Sequence, residues 1–267
     1  MIRLIVSDID GTMVRHDKSL PDENIAAVAR AKAAGIAVSL ISARPPSGMM
    51  WIAKALGITA PMGAFNGSTI FGPDGAVLSA EHLTREAVVE AFSLIDAPGV
   101  TAWLFADGQW YSRDISNPHN AREIQSAGIE PMVAGDWTAF LDRADKIVGV
   151  CDVPETLAGI EVRAKAALGP RAMVSRSQPY YLDILAPSGN KGAGISRIAE
   201  LCEVSLTETA ALGDQNNDLA MFAVAGLSVA MGQAPDNVRA AADHIATSNE
   251  DGGVADAIDR FVLAIAR

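Results

Sequence analysis

A short apolar run, Ile2 to Ser7, ends in two carboxylates two residues apart, Asp8-Ile9-Asp10-Gly11-Thr12, and this restricts the fold of the chain more than any other feature. The run is rich in β-branched residues, which predicts a buried strand, and the pattern breaks into polar loop beyond Thr12. In an extended segment the side chains at i and i+2 point to the same side, so Asp8 and Asp10 can share one site. Two bare carboxylates there repel each other, and a buried charge without a partner is costly. A hard divalent cation answers both problems, and Mg²⁺ favours carboxylate oxygens alongside the oxygens of a bound phosphate. The same two acids also fit an ordinary capped loop at a strand end, so the rest of the chain has to decide.

The 267 residues suffice for one large domain or two modest ones. A net charge of −11 argues against nucleic-acid backbone or an anionic membrane as partner, so a phosphorylated ligand would have to be met locally. Cys151 and Cys202 form neither a CxxC nor a disulfide framework, which fits a reducing cytoplasm. The N-terminus runs directly into the first strand, and no leader is expected. The longest nearly apolar stretch, Leu219 to Met231, is too short to span a bilayer and is interrupted by Ser228. A soluble, cytoplasmic chain is expected.

The first third alternates strands and helices. Ser19-Leu20-Pro21-Asp22 reads as a helix start with Ser19 as the cap, Ile25 and Val28 give its buried face, and Gly35 supplies the stop. Ile36–Ile41 is the next buried strand, Pro45-Pro46 opens a helix running to Gly57, and Met62–Phe65 is a third strand. Gly72-Pro73-Asp74-Gly75 between two short apolar runs predicts a hairpin. From about Glu81 to Ala186 the texture changes: three of the four Trp and all three Tyr fall there, among short strands (Val100–Phe105, Lys146–Val150, Tyr181–Leu185) and helices (Arg85–Ile95, His119–Ala127, Pro154–Leu168). That mixture predicts a separate small α+β unit. After Pro187 the alternation returns, with a helix at Gly192–Cys202, a strand at Thr209–Leu212, a helix at Leu219–Ala225, a strand near Val229, a helix around Val238 and a last helix from Val254. The expected class is therefore α/β: a doubly wound parallel-sheet, Rossmann-like core from residues 1–81 and 187–267, with an α+β unit inserted at 82–186. Active sites in such sheets lie beyond the carboxyl ends of the strands, which gathers Asp8, Asp10, Ser42 and Asp214.

Three further segments carry chemistry. Ser42-Ala43-Arg44-Pro45 closes the second strand and starts a helix, which suits an anion site or a plain helix cap. Lys191 in Asn190-Lys191-Gly192 opposes the dipole of the helix it starts, so it either meets an anion or lies solvated on the surface. Neither a P-loop nor a GxGxxG is present, since Gly192 follows the Lys and Arg197 takes the place of the last glycine. Gly213-Asp214-Gln215-Asn216-Asn217-Asp218 sits at a strand end and a helix start; the loop fails as an EF-hand because Leu219 and Ala225 occupy its sixth and twelfth positions. Asp218 can serve as a helix cap, which leaves Asp214 as the chosen metal ligand.

These four motifs, in this order, resemble those of the haloacid dehalogenase superfamily, most closely its Cof-like sugar-phosphate phosphatases. Phe65-Asn66-Gly67 and Pro179-Tyr180-Tyr181-Leu182-Asp183 resemble further segments of that group, and the resemblance covers the whole chain. One departure is that the usual Thr-Gly-Arg reads Ser42-Ala43-Arg44, which keeps the hydroxyl but adds a methyl group where a backbone N–H approaches the phosphoryl group. The resemblance implies a Mg²⁺-dependent phosphatase of small phosphorylated metabolites, with the inserted unit as a specificity cap. It makes Asp8 the nucleophile, Asp10 the acid and base, and Lys191 a charge-stabilising partner. Mg²⁺ would be held by Asp8, the Asp10 carbonyl and Asp214, with Asp218 orienting bound water and Lys191. Ile9, Ser42, Ala43, Arg44, Asn66 and Asn217 would surround the phosphoryl group, and Tyr180, Arg122, His119 and Asn117 are candidates to read the leaving group. Surface exposure or packing explains each of those four better. A metal-free dehalogenase fits poorly, because a halide needs no proton and the acidic motifs would be idle. A phosphomannomutase-like phosphoryl transferase and a non-catalytic sugar-phosphate-binding protein remain as alternatives.

Overall fold

The computed structural model describes residues 1–264. The β-branched run forms β1 (Leu4–Ser7), buried at every position. It is followed by α1 (Asp22–Ala33), β2 (Ala37–Leu40) and α2 (Pro46–Leu56). The start of α1 differs from expectation: Pro21 stands at the N-cap with no side-chain cap, and Asp22 and Glu23 fill the first turn. Ser19 instead ties the preceding loop, its carbonyl accepting from Arg15 N at 2.9 Å. The buried face is Asn24, Ala27, Val28 and Ala31, with Ile25 only half-buried. Asn24 earns its burial by bridging, donating to the Met13 carbonyl and accepting from Ala255 N, each at 3.0 Å.

β3 (Met62–Ala64), β4 (Thr69–Phe71) and β5 (Val77–Ala80) make a small antiparallel sheet of their own. The third strand thus touches the end of β2 by a single bridge, Ile41 to Gly63, and does not extend the parallel sheet. The reason is local: Phe65 and Asn66 adopt φ of 50° and 58°, which turns the chain straight back into β4. Gly72-Pro73-Asp74-Gly75 closes the β4–β5 hairpin.

The inserted segment runs α3 (Arg85–Ile95), β6 (Thr101–Ala106), β7 (Gln109–Ser112), α4 (Asn120–Ala127), β8 (Pro131–Val133), β9 (Ala144–Val150), α5 (Pro154–Leu168), β10 (Met173–Gln178) and β11 (Tyr181–Leu185). Its six strands form one sheet in the order β10-β11-β9-β6-β7-β8. Strand alternation splits the side chains cleanly. Leu104, Ile147, Leu182 and Ile184 share a cluster with residues of α3 and α5, whereas Trp103, Phe105, Val148 and Tyr181 share one with the parallel-sheet body. Phe65 and Phe105 meet across that junction at 5.9 Å between ring centroids. Nearby, Ser47 Oγ of α2 donates to the Ala127 carbonyl of α4 at 2.6 Å.

The chain returns with α6 (Lys191–Leu201), β12 (Thr209–Gly213), the short α7 (Leu219–Phe222), β13 (Leu227–Ala230), α8 (Asp236–Ala241), β14 (His244–Ile245) and α9 (Gly253–Ala257), which continues as π-helix to Leu263. The last three positions of the expected core segment and of its terminal helix lie outside the described residues. The main sheet has the order β14-β13-β12-β1-β2 and is parallel throughout. β1 is the switch point: the chain winds outward to β2 on one side and to β13 and β14 on the other, which opens a crevice beyond the carboxyl ends of β1 and β12. Among the described residues no helix is long and apolar enough to cross a membrane.

Candidate active site

Asp8 follows β1 directly, and its backbone N–H donates to the Leu212 carbonyl at 2.9 Å, so β1 and β12 end in register. That register brings the two acidic loops together. Thr12 Oγ1 donates to Asp214 Oδ1 at 3.0 Å, and Gln215 Nε2 donates to Asp214 Oδ2 at 3.2 Å. Gly11 has φ +83°, and a Cβ there would lie 2.8 Å from the Asp214 Cγ. No other residue fits both the backbone and the space. Gly11→Ala is expected to lower stability by about 1–3 kcal/mol, read by urea unfolding.

Lys191, the first residue of α6, is 1% exposed, and its ammonium donates to Asp8 Oδ1 at 2.5 Å and to Asp218 Oδ1 at 2.6 Å. The other Asp218 oxygen accepts from the backbone N–H groups of Asp214 and Gln215, each at 2.8 Å. Asp218 therefore fixes the loop and the lysine at once. One oxygen from each of Asp8, Asp214 and Asp218 lies within 4.8 Å of the others. Three carboxylates face a single ammonium. Burial pushes the Asp8 carboxyl well up, against the pull of Lys191. Burial and then the Asp218 charge push Asp214 up to about 6. Lys191 is the converse: burial opposes its charge, but Asp218 and Asp8 outweigh that and hold it protonated.

Asp10 lies on a different network. Arg44 Nε and Nη2 grip its two oxygens at 2.7 Å, and Lys18 Nζ adds a third contact at 2.5 Å. Burial raises the Asp10 carboxyl, but Arg44 and then Lys18 overcome this and hold it below the ordinary carboxylate range. Arg44 is itself buried and also donates to the Gly48 carbonyl at 3.0 Å, so its guanidinium is largely committed to protein partners. Lys18, which the sequence reading passed over, reaches Asp10 from a loop residue with φ of 70°.

Ser42 anchors the β2 loop: its N–H donates to the Gly63 carbonyl, its carbonyl accepts from Asn66 N at 2.7 Å, and its Oγ accepts from Arg44 N at 3.2 Å. Asn66 is thereby pinned beside α6, where Asn217 Nδ2 reaches its Oδ1 at 3.4 Å. Gly194 finds its explanation here, since a Cβ on it would fall 2.8 Å from the Gly67 Cα. Ile9 buries its side chain in the sheet core, and the Ala43 carbonyl accepts from Lys146 Nζ at 3.3 Å.

One pocket holds Asp8, Asp10, Ser42, Ala43, Arg44 and Asn217 together. Of the four leaving-group candidates, only Arg122 lines it. Tyr180 stacks on His119 at 4.3 Å, and the neighbouring Tyr181, first in β11, lines the pocket in its place. His119 is engaged by Asp152 at 2.7 Å, and Asn117 donates to Thr101 Oγ1 at 2.9 Å, so both serve local structure. The pocket also gathers Lys18, Glu123, Lys146 and Arg176, none of which the sequence singled out.

A profile of haloacid dehalogenase-like hydrolases matches residues 5–258. A 5-amino-6-(5-phospho-D-ribitylamino)uracil phosphatase of Bacillus subtilis is 26% identical over 262 residues, covering 98% of this chain and 96% of its own. An HMP-PP phosphatase of Escherichia fergusonii is 26% identical over 246 residues, covering 92% and 89%. A solved haloacid dehalogenase-like hydrolase of Bacteroides thetaiotaomicron superposes with a TM-score of 0.87 at 26% identity, over 97% of this chain and 99% of that one. The four ordered motifs, the doubly wound sheet that brings them to one crevice and these similarities lead to the same end: the chain belongs to the haloacid dehalogenase-like hydrolase family, beside relatives named as phosphatases.

Proposed function

We propose that this enzyme is a Mg²⁺-dependent phosphatase of small phosphorylated metabolites, sugar or polyol phosphates foremost, and that it works through an aspartyl-phosphate on Asp8. The observation that carries the reading is the buried cluster of Asp8, Asp214 and Asp218 around one lysine, opening on a pocket. The Bacillus subtilis relative, whose name specifies a phosphoribityl compound, supports the substrate class.

The donor set fits a hard divalent cation: oxygens only, more negative charge than Lys191 neutralises, and two carboxyls pushed up by burial and then by neighbouring carboxylates. The Asp8 carboxylate, the Asp10 carbonyl and Asp214 would hold Mg²⁺, with Asp218 steadying Asp214 and Lys191. When bound, Mg²⁺ would neutralise phosphoryl oxygens and relieve their repulsion of the attacking carboxylate.

Asp8 would attack phosphorus in line while the P–O bond to the leaving group breaks, so that one hard displacement becomes two easier ones. Asp10 would give a proton to the departing alkoxide and then take one from the water that hydrolyses the acyl phosphate. Clamped by Arg44 and Lys18, Asp10 is ionised and set for that second step. An incoming phosphoryl dianion competes for both cations and raises the proton affinity of Asp10, which readies it for the first step. Lys191, Ser42 and Asn217 would hold the phosphoryl oxygens, with the N–H groups of Ile9 and Ala43. The inserted segment, packed over the pocket, would act as a cap that excludes water and reads the leaving group.

Millimolar Mg²⁺ is expected to raise the melting temperature of the wild-type protein in proportion to the logarithm of its concentration, as for any ligand bound only by the folded state. Phosphate release is expected to vanish on chelation and to return with added Mg²⁺. Release that persists in a chelator would contradict the metal assignment.

A further inference from the structure

The turn Asp10-Gly11-Thr12 is gripped from two sides. On its inner side Gly11 lies against the Asp214 carboxylate, and Thr12 Oγ1 donates to Asp214. On its outer side Gln233 Nε2 donates to the Gly11 carbonyl at 2.6 Å. The other end of the same amide, Oε1, accepts from Asn249 N at 3.0 Å. A backbone N–H can only donate, so Asn249 fixes which way the amide faces and leaves its NH₂ group for Gly11. Asn249 is itself buried, and its Nδ2 donates to the Val14 carbonyl at 3.0 Å, so the two side chains clasp the loop after β1 at Gly11 and at Val14. The support behind Gln233 is firm. Met231 N, at the end of β13, donates to the Gly213 carbonyl at 2.9 Å, and Gly232 N donates to the Thr247 carbonyl at 3.0 Å. Gln233 is exposed, so burial does not account for its place.

Gly11 is the residue that needs such a restraint. Its φ is +83°, and glycine moves between backbone wells more readily than any other residue. The peptide on its N-terminal side carries the Asp10 carbonyl, which would face the metal with Asp8 and Asp214. A turn of that peptide swings the carbonyl, and the hold on the adjacent Gly11 carbonyl resists the turn. We propose that Gln233, oriented by Asn249, is a positioning residue for the metal: by holding the Gly11 carbonyl it fixes the Asp10–Gly11 peptide and so sets the strength and the ion selectivity of the site. The inference rests on the metal assignment proposed for Asp8, Asp10 and Asp214, and adds a residue that touches neither metal nor substrate. Mg²⁺ tolerates little departure from octahedral geometry, whereas Ca²⁺ accepts varied coordination and longer bonds. Loosening one backbone carbonyl therefore costs Mg²⁺ more than Ca²⁺. A general loss of structure, or a change of charge, acts on the two ions alike.

The test is thermal unfolding of the full chain without substrate, titrated with MgCl₂ or CaCl₂ at constant ionic strength, from which each dissociation constant follows. Gln233→Met keeps the length of the side chain and removes both of its hydrogen bonds. It is expected to melt within about 2 °C of wild type in chelator. Its Mg²⁺ affinity is expected to fall about tenfold and its Ca²⁺ affinity by less than about threefold. Gln233→Glu keeps an oxygen for Asn249 N and loses the donor to Gly11. Its added negative charge attracts both cations, yet the ratio of Mg²⁺ to Ca²⁺ affinity is expected to fall as in Gln233→Met. A ratio that holds or rises in either variant would overturn the proposal. A wild-type protein whose melting does not respond to Mg²⁺ would sink the metal assignment and this proposal with it. Wild type that binds Mg²⁺, beside variants that match it, would leave the metal assignment standing and sink this proposal alone.

Discussion

Asp8→Asn is expected to leave a folded protein whose phosphate release is lower by at least about 10⁴-fold, because an amide cannot attack phosphorus and no other carboxylate can take its place. Asp214 is tied to Thr12 and Gln215, and Asp218 to Lys191 and two backbone N–H groups, so neither is free to substitute. Stability is expected to move the other way. Burial raises the Asp8 carboxyl, so its ionised form is the unfavourable one in the folded state, and that cost grows as pH rises above the ordinary carboxylate range. Asparagine keeps the shape and drops the charge, which relieves the repulsion from Asp218 and Asp214. A melting temperature at or above that of the wild type, measured in chelator, would show that lost activity is lost chemistry and not unfolding. Activity within tenfold of wild type would remove Asp8 from the mechanism.

Lys191→Met is expected to be the most damaging single change to stability near the site, at about 3–5 kcal/mol in urea unfolding without metal. The ammonium is 1% exposed and is the shared partner of Asp8 and Asp218, so its removal strands two buried carboxylates. Added Mg²⁺ is expected to restore part of the loss by supplying positive charge to the same oxygens. Activity is expected to fall as well, since Lys191 would no longer oppose charge on the phosphoryl group. A variant as stable as wild type in chelator would show that the cluster does not depend on this lysine.

Lys191 also shows how far the sequence could be read. A lysine at a helix start runs against the helix dipole, an oddity that leaves either an anion partner or a solvated surface side chain, and its burial against Asp8 and Asp218 decides for the first. Asp8 and Asp214 were legible too, because each stands directly after an apolar strand, and parallel sheets place such residues in one crevice; Asp218, four residues further on, read only as a helix cap. Several element bounds follow from pattern alone: Arg85–Ile95, Pro154–Leu168 and Tyr181–Leu185 appear in the structure as the sequence predicts them. What failed did so for identifiable physical reasons. Met62–Ala64 is apolar enough for the parallel sheet, but the left-handed Phe65 and Asn66 reverse the chain before it can join. Tyr180 and Tyr181 differ by one position, and in a strand one position is the difference between the two faces. Lys146, Glu123 and Asp183 come from β9, α4 and β11, and nothing in their local sequence says that these elements converge. Arg44 does line the pocket as expected, but its fork is held by Asp10, a pairing across 34 positions that no local pattern displays.

A covalent phosphoryl group at Asp8 is the centre of the proposed mechanism. The direct measurement is acid quench of the wild-type enzyme within its first turnovers of a phosphomonoester in Mg²⁺, followed by borohydride reduction and peptide mapping. Reduction of an aspartyl-phosphate yields homoserine, and homoserine is expected at position 8, absent without Mg²⁺ and absent when substrate is withheld. Sustained phosphate release with Asp8 unmodified at every quench time, or homoserine at another acidic position, would contradict it.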